Sequence, residues 1–314
     1  MAQKAPGKSH RKGMTLQELF RMFPDDATAE KWFAEKRWPD GPHCPYCGST
    51  NVQSGAKHKT MSYRCREKTC AKRFSVRTKT PMESSKLGFQ TWAIALYQVT
   101  TNLKGVSSMK LHRDLGITQR SAWFLAHRLR EAWKDNGPQF SGPVEVDETY
   151  IGGKEKNKHA HKKQRLGRGG IGKSIVAGAR DRATNRISAG VVQGTDAGSL
   201  QGFVASRTAG DAKVYTDQGA GYQGMPFDHE TVNHSISEYV RDQAHTNGIE
   251  SFWSMLKRGY HGTYHHMSAK HPDRYVGEFA GRHNDREADT IDMMARAAQC
   301  MVGKRLMYRE LVED

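Results

Sequence analysis

Acidic residues are the minority charge in this sequence: 33 Asp and Glu stand against 49 Lys and Arg, a formal net charge of +16. An excess of that size favours a polyanionic partner, with nucleic acid first and an anionic membrane surface second. Long apolar runs are also missing. No stretch approaches the roughly eighteen residues of a spanning helix, and the opening MAQKAPGKSHRKG lacks the apolar core of a secretory signal. A cytoplasmic protein without membrane contact is therefore expected. Cysteine is scarce, five in 314 residues, and Cys44, Cys47, Cys65 and Cys70 account for four of them. Such crowding fits a metal site in a reducing compartment better than a disulfide framework. Hydrophobic residues make up only 36%, yet six Trp, eleven Tyr and eleven Phe supply bulk for real cores, and the length points to two or three folded units.

The amino-terminal half reads as a series of small modules. Residues 1–13 form a basic tail. In 14–40, Leu16, Leu19, Phe20 and Phe23 follow helical spacing, and Ala29, Trp32 and Phe33 suggest a second short helix before the turn at Trp38-Pro39-Asp40-Gly41. Residues 41–80 hold two knuckles, Cys44/Cys47 and Cys65/Cys70, around a strand pair. Four thiolates make the closed tetrahedral shell of one structural zinc per chain, which a segment this polar needs in order to fold. Residues 81–135 are helical in pattern. There VSSMKLHRDLGITQRSAWFLAHRLREAW suggests a helix-turn-helix, with Ser107 or Ser108 capping the first helix, Gly116 in the turn and Thr118 capping the second. Arg120, Arg128 and Arg130 on that second helix are candidate DNA contacts.

The stretch GRGGIGKS, residues 167–174, satisfies the phosphate-loop pattern G-x-x-x-x-G-K-[ST]. That pattern needs a strand before it and a helix after it, so that amides converge on phosphates. Here a polar basic run precedes it and the strand-like IVAGARD follows. No nucleotide is expected. Lys162, Lys163, Arg165, Arg168 and Lys173 instead suit a Gly- and Lys-rich loop that follows a DNA backbone.

From residue 140 the texture changes to strands. In PVEVDETYIGG, Val144 and Val146 alternate with Glu145 and Asp147, which puts Asp147 on a buried strand where an unpaired charge is expensive. SIVAGAR and RISAGVV read as a strand pair, Ala197 to Ser206 as a helix, AKVYTDQG as a short strand ending at Asp217, and HETVNHS as one more strand. HTNGIESFWSMLKRG reads as a helix: Ile249, Phe252 and Leu256 (or Trp253) face inward, while Asn247, Glu250, Ser254 and Lys257 share another face. Acids on a strand, a second strand and a late helix could hold two divalent ions for phosphodiester displacement.

VEVDETYIGG, YTDQGAGY, HTNGIESFWSMLKRG and the later YHHMS and KHPDRYVGEFAGRHNDR resemble, in order and spacing, the zinc-ribbon insertion-sequence transposases related to Merlin elements. The resemblance runs from LQELFRMFPDD to Arg286. It implies an α/β, ribonuclease-H-like catalytic core over 140–290, preceded by the helices, ribbon and helix-turn-helix and followed by a carboxy-terminal helix over 291–314. It implies metal-dependent cleavage and transfer of double-stranded DNA at element ends and target, with magnesium or manganese, by a homodimer on DNA. By the same resemblance Asp147 and Asp217 match the two aspartates, Glu250 the acid of H-x-N-x-I-E, and Lys257 a basic residue beyond it. Some members are described by Asn as the third residue, and this chain has both Asn247 and Glu250. A carboxylate is the better ligand for a hard cation, which favours Glu250. The alternative is a DNA-binding regulator or domesticated relative without catalysis.

Overall fold

The computed structural model describes residues 11–134, 137, 139–153, 159, 161, 163, 170, 172–232 and 246–313. The tail up to residue 10 and the candidate contacts Lys162, Arg165 and Arg168 lie outside the described residues. The chain divides into two compact units.

The first unit begins with α1 (Leu16–Met22) and α2 (Asp26–Arg37). Thr15 accepts from the Glu18 amide while the Glu18 carboxylate accepts from the Thr15 amide, a reciprocal capping box that starts α1. Asp25 starts α2 by accepting from the Thr28 amide at 2.7 Å. Strands β1 (Val52–Gln53), β2 (Tyr63–Cys65) and β3 (Arg73–Phe74) form a small antiparallel sheet. Its core is aromatic: the Tyr63 ring stacks on Phe74 at 5.6 Å between centroids, and Trp38 meets Tyr63 edge-on at 5.0 Å. Then come α3 (Phe89–Thr101), α4 (Ser108–Leu115) and α5 (Gln119–Arg130). Ser107 caps α4, Gly116 ends it in the left-handed region at φ 62°, and Thr118 caps α5, the punctuation that the sequence suggests.

The second unit is built on a five-stranded sheet. Its elements are β4 (Val144–Ile151), β5 (Ser174–Asp181), β6 (Ile187–Val192), α6 (Ala197–Arg207), β7 (Lys213–Asp217), β8 (Asp228–Val232), α7 (Asn247–Gly259) and α8 (Pro272–Asn284). Sheet order is β6-β5-β4-β7-β8, and β5 runs opposite to the other four strands. Alternation along β4 separates two cores. Val144 and Val146 join Ala177, Ala179 and Val214 beneath Leu200, Phe203 and Val204 of α6. On the opposite face Val176, Ile187 and Ala189 pack against Ile249, Phe252, Trp253 and Leu256 of α7 and against Val276 and Phe279 of α8. The chain then returns to the first unit with α9 (Thr290–Cys300) and α10 (Tyr308–Val312), so two short helices stand where the sequence suggests one. Helix α9 packs on α2 and α3. No helix among the described residues is long and apolar enough to cross a membrane.

Gly178 on β5 pairs across the ladder with Asp147 on β4. A Cβ at Gly178 would lie 2.6 Å from Trp253 Cη2 and 3.0 Å from Ile249 Cδ1, so the missing side chain is what lets α7 settle on the sheet. Gly178→Ala is expected to cost about 1–3 kcal/mol through overpacking, read as a lower urea midpoint with a changed tryptophan spectrum. An unaltered midpoint and spectrum would show that α7 has slack at this contact.

Candidate metal centres and active site

The four cysteines of the first unit converge. Their sulfurs lie within 4.8 Å of one another, with Cys44 to Cys70 at 3.7 Å and Cys47 to Cys65 at 3.6 Å. Burial raises the Cys44 thiol pKa, but the Tyr46 and Cys47 amides outweigh it and pull the value down to about 7. Cys65 is pushed up to about 12, chiefly by burial and then by the neighbouring thiols. Four sulfurs this close cannot all ionise without a cation, so the donor set fits one tetrahedral metal ion.

In the second unit, β4 and β7 are parallel neighbours, with Val144 opposite Val214 and Glu145 opposite Tyr215. Continuing that register brings Asp147 level with Asp217, on the face that carries α7. Asp147 Oδ2 accepts from the Trp253 indole N–H at 2.9 Å. Burial, then the charges of Glu148 and Asp217, push the Asp147 carboxyl up to about 7. Asp217 Oδ1 accepts from the Gly219 amide at 3.0 Å. Glu148 is likewise raised, first by burial, with Asp217 adding to it and a hydrogen bond from Tyr222 opposing it.

Helix α7 is anchored beside this pair by a carboxylate that the sequence reading passed over. Glu145 is 0% exposed. Its Oε2 accepts from the Ile249 amide in the first turn of α7 at 3.0 Å, and its Oε1 accepts from Arg180 Nη1 at 2.8 Å and Arg182 Nε at 2.9 Å. A carboxylate at a helix amino terminus satisfies otherwise orphaned amides. Ile249, Phe252, Trp253 and Leu256 are buried, whereas Asn247, Glu250, Ser254 and Lys257 are exposed, the division expected from their spacing. Glu250 Oε1 accepts from the Thr246 hydroxyl at 3.0 Å. Among the described residues only the cysteines gather three or more metal-capable side chains, so Asp147, Asp217 and Glu250 are not drawn into one ligand shell.

Other sequence candidates separate. Lys173 and Lys257 line one cleft of about 450 Å³ together with Glu148, Tyr150, Tyr260 and His261. Ser174 opens β5 rather than a helix, and the Lys173 amide donates to Gly170 O in a turn, so the phosphate-loop pattern lacks the helix its chemistry requires. Lys163 is exposed. Arg120 is exposed, with its guanidinium 4.3 Å from the centre of the Tyr308 ring. Arg128 and Arg130 correct the expectation that they face DNA, because they are 7% and 4% exposed. Arg128 donates to Leu306 O at 3.3 Å and to Glu83 O at 3.1 Å, which ties the end of α5 to two distant segments of its own unit.

Residues 139–284 match the ISXO2-like transposase domain, and residues 24–73 match the transposase zinc-ribbon domain. An uncharacterized protein in transposable element ISH50 of Halobacterium salinarum is 26% identical over 251 residues, which cover 76% of this chain and 84% of that one. The chain thus carries a transposase zinc-ribbon domain followed by an ISXO2-like transposase domain, and it is similar to a protein of a transposable element.

Cys65→Ser is expected to release the metal and unfold residues 41–80, since binding energy is folding energy in such a module. Metal analysis checks this: one zinc per wild-type chain and well below one in the variant, against equal contents if the sulfurs serve only packing. A second expectation follows from Asp147. With its carboxyl raised from about 3.8 to about 7, the folded state keeps a proton that the unfolded chain gives up. Stability in magnesium-free buffer should therefore fall from about pH 4 to pH 7, by at most about 1.4 kcal/mol per unit, and level off above. Asp147→Asn should flatten that slope in urea titrations; identical slopes would mean that Asp147 titrates normally.

Proposed function

We propose that this transposase binds the terminal repeats of its element and carries out metal-dependent cleavage and transfer of DNA strands, using Asp147 and Asp217 as metal ligands on a ribonuclease-H-like core. The observation that carries the reading is the parallel pairing of Val144 with Val214 and Glu145 with Tyr215, which, continued two residues, brings Asp147 level with Asp217. A five-stranded sheet with only β5 reversed and helices on both faces supports the core assignment. Asp147 is destabilised as an anion by burial and by Glu148 and Asp217, the electrostatics that a divalent cation relieves. The oxygen donors suit magnesium or manganese. Bound there, such an ion would activate a water or a 3′-hydroxyl and stabilise the departing oxygen.

The protein's own groups would do the rest. The Trp253 N–H holds one oxygen of Asp147 and would orient the carboxylate for the ion. Glu250, which stands outside a shared shell with Asp147 and Asp217 in this structure, is the acid proposed to join them on the ion, with Asn247 as an orienting group or second ligand on the same exposed helix face. Lys173 and Lys257 neutralise phosphates in the cleft next to Glu148. Arg120, Lys163 and, by sequence, Lys162, Arg165 and Arg168 are further candidate phosphate contacts. Helices α4 and α5 serve as a helix-turn-helix, and a homodimer engages the two element ends. A relative that only binds DNA is disfavoured, because two mutually repelling, partly buried carboxylates cost stability and serve no purpose in it.

The test is cleavage of a supercoiled plasmid carrying the element ends. Asp147→Asn and Asp217→Asn should reduce magnesium-dependent nicking to the metal-free background while end binding stays within about twofold, since size and fold are kept. Glu250→Gln should lose far more activity than Asn247→Ala. Aspartate variants that still nick with magnesium would move the active site elsewhere; a dead Asn247→Ala beside a normal Glu250→Gln would make Asn247 the third ligand.

A further inference from the structure

Asp217 stands at the end of β7, and the segment after it is unusually well held. The Gly219 amide donates to Asp217 Oδ1 at 3.0 Å, and residues Ala220–Tyr222 then make one turn of 3-10 helix. Gly221 sits so close to the preceding loop that a Cβ would lie 2.5 Å from Thr195 O and 2.8 Å from Leu200 Cδ1. From α6, Gln201 donates to the carbonyls of Gly221 at 3.3 Å and Gln223 at 2.8 Å. The turn ends in Tyr222, which is 0% exposed yet carries a hydroxyl. That hydroxyl donates to Glu148 Oε2 at 2.6 Å. Burial and the Glu148 charge push ionisation of the phenol far up, so it stays a donor. Glu148 is bonded through the chain to Asp147. A closed circuit therefore runs from Asp147 to Glu148, across to Tyr222, back along the turn to Gly219, and so to Asp217.

We propose that Glu148 and Tyr222 are positioning residues: their hydrogen bond ties the turn after β7 to β4 and so fixes the separation at which Asp147 and Asp217 meet a divalent cation. The inference rests on the reading of those two aspartates as metal ligands. Partners that orient ligating carboxylates typically change metal affinity by about 10–100-fold when removed. Two simpler roles compete. Tyr222 could serve only as core volume, and Glu148 could serve as a further charge at the metal.

Zinc-loaded, full-length protein titrated with manganese and followed by electron paramagnetic resonance separates these roles, with hydrogen exchange of residues 217–222 in manganese-free protein as the second readout. Tyr222→Phe, which keeps the ring, should weaken manganese binding by about tenfold or more and speed exchange in that segment, leaving residues 41–80 unchanged. Glu148→Ala should do the same. Glu148→Gln keeps an acceptor for the phenol and should recover most of the affinity, and Glu148→Ala with Tyr222→Phe should be no worse than either alone. Tyr222→Phe within twofold of wild type in both readouts overturns the proposal. So does Glu148→Gln as weak as Glu148→Ala, since the charge and not the hydrogen bond would then matter. If Asp147→Asn and Asp217→Asn bind manganese like wild type, the metal assignment fails; the exchange data then still decide whether Glu148 and Tyr222 hold the turn.

Discussion

The second unit is organised around acids on the inner side of a sheet. Strand β4 turns Glu145 and Asp147 toward α7, and a carboxylate in that position must be given donors or hold a proton. Glu145 is given three: two guanidinium groups from the end of β5 and just beyond it, and one amide from the first turn of α7. Asp147 is given the Trp253 indole N–H and the Glu148 amide and is left next to two other acids. Helix α7 supplies one donor to each, the first at its start and the second a turn later. Glu145 is thus well supplied with donors, while at Asp147 burial and the neighbouring acids outweigh the hydrogen bonds it receives. That imbalance is the electrostatic side of the metal-ligand role proposed for it.

The first unit meets a different constraint. Between Gly41 and Phe74 the chain is polar and its strands are two or three residues long, so no conventional core can form. An aromatic trio and four sulfurs take its place. Around it the helices close in the ordinary way, with Trp92, Leu96, Leu125 and Leu129 fully or almost fully buried. Strong local caps set the start of each short helix, which matters because helices of seven to twelve residues are marginal on their own.

Much of this was legible in the sequence wherever a short-range signal existed. Cysteine spacing gave the knuckles, alternation gave the strands from Val144 onward, and the stripe from Ile249 to Leu256 gave the buried side of α7. The inward turn of Arg128 was not legible, because the carbonyls that hold it come from Glu83 and Leu306, far away in the chain. Glu145 could have been found by the rule applied to Asp147, since it shares the same strand face; its partners Arg180 and Arg182 flank the end of the next strand. No local signal marks the bond between Glu148 and Tyr222, which lie 74 residues apart on either side of the α6 crossover. The exposed position of Glu250, outside any joint cluster with Asp147 and Asp217, is likewise a matter of tertiary distance and not of spacing along α7.

The order in which the chain visits its two units sets the order in which they can fold. Residues 133–286, with 103–105, form the second unit, and only after them in the chain comes α9, which packs on α2 and α3, with Gly303 donating to Lys79 O at 2.9 Å. A ribosome adding 5–20 residues per second needs on the order of ten seconds to cross that insertion. The last helix of the sheet unit is thus synthesised before the helices that complete the unit enclosing it in sequence, and cutting the chain at a single point cannot yield the amino-terminal unit whole.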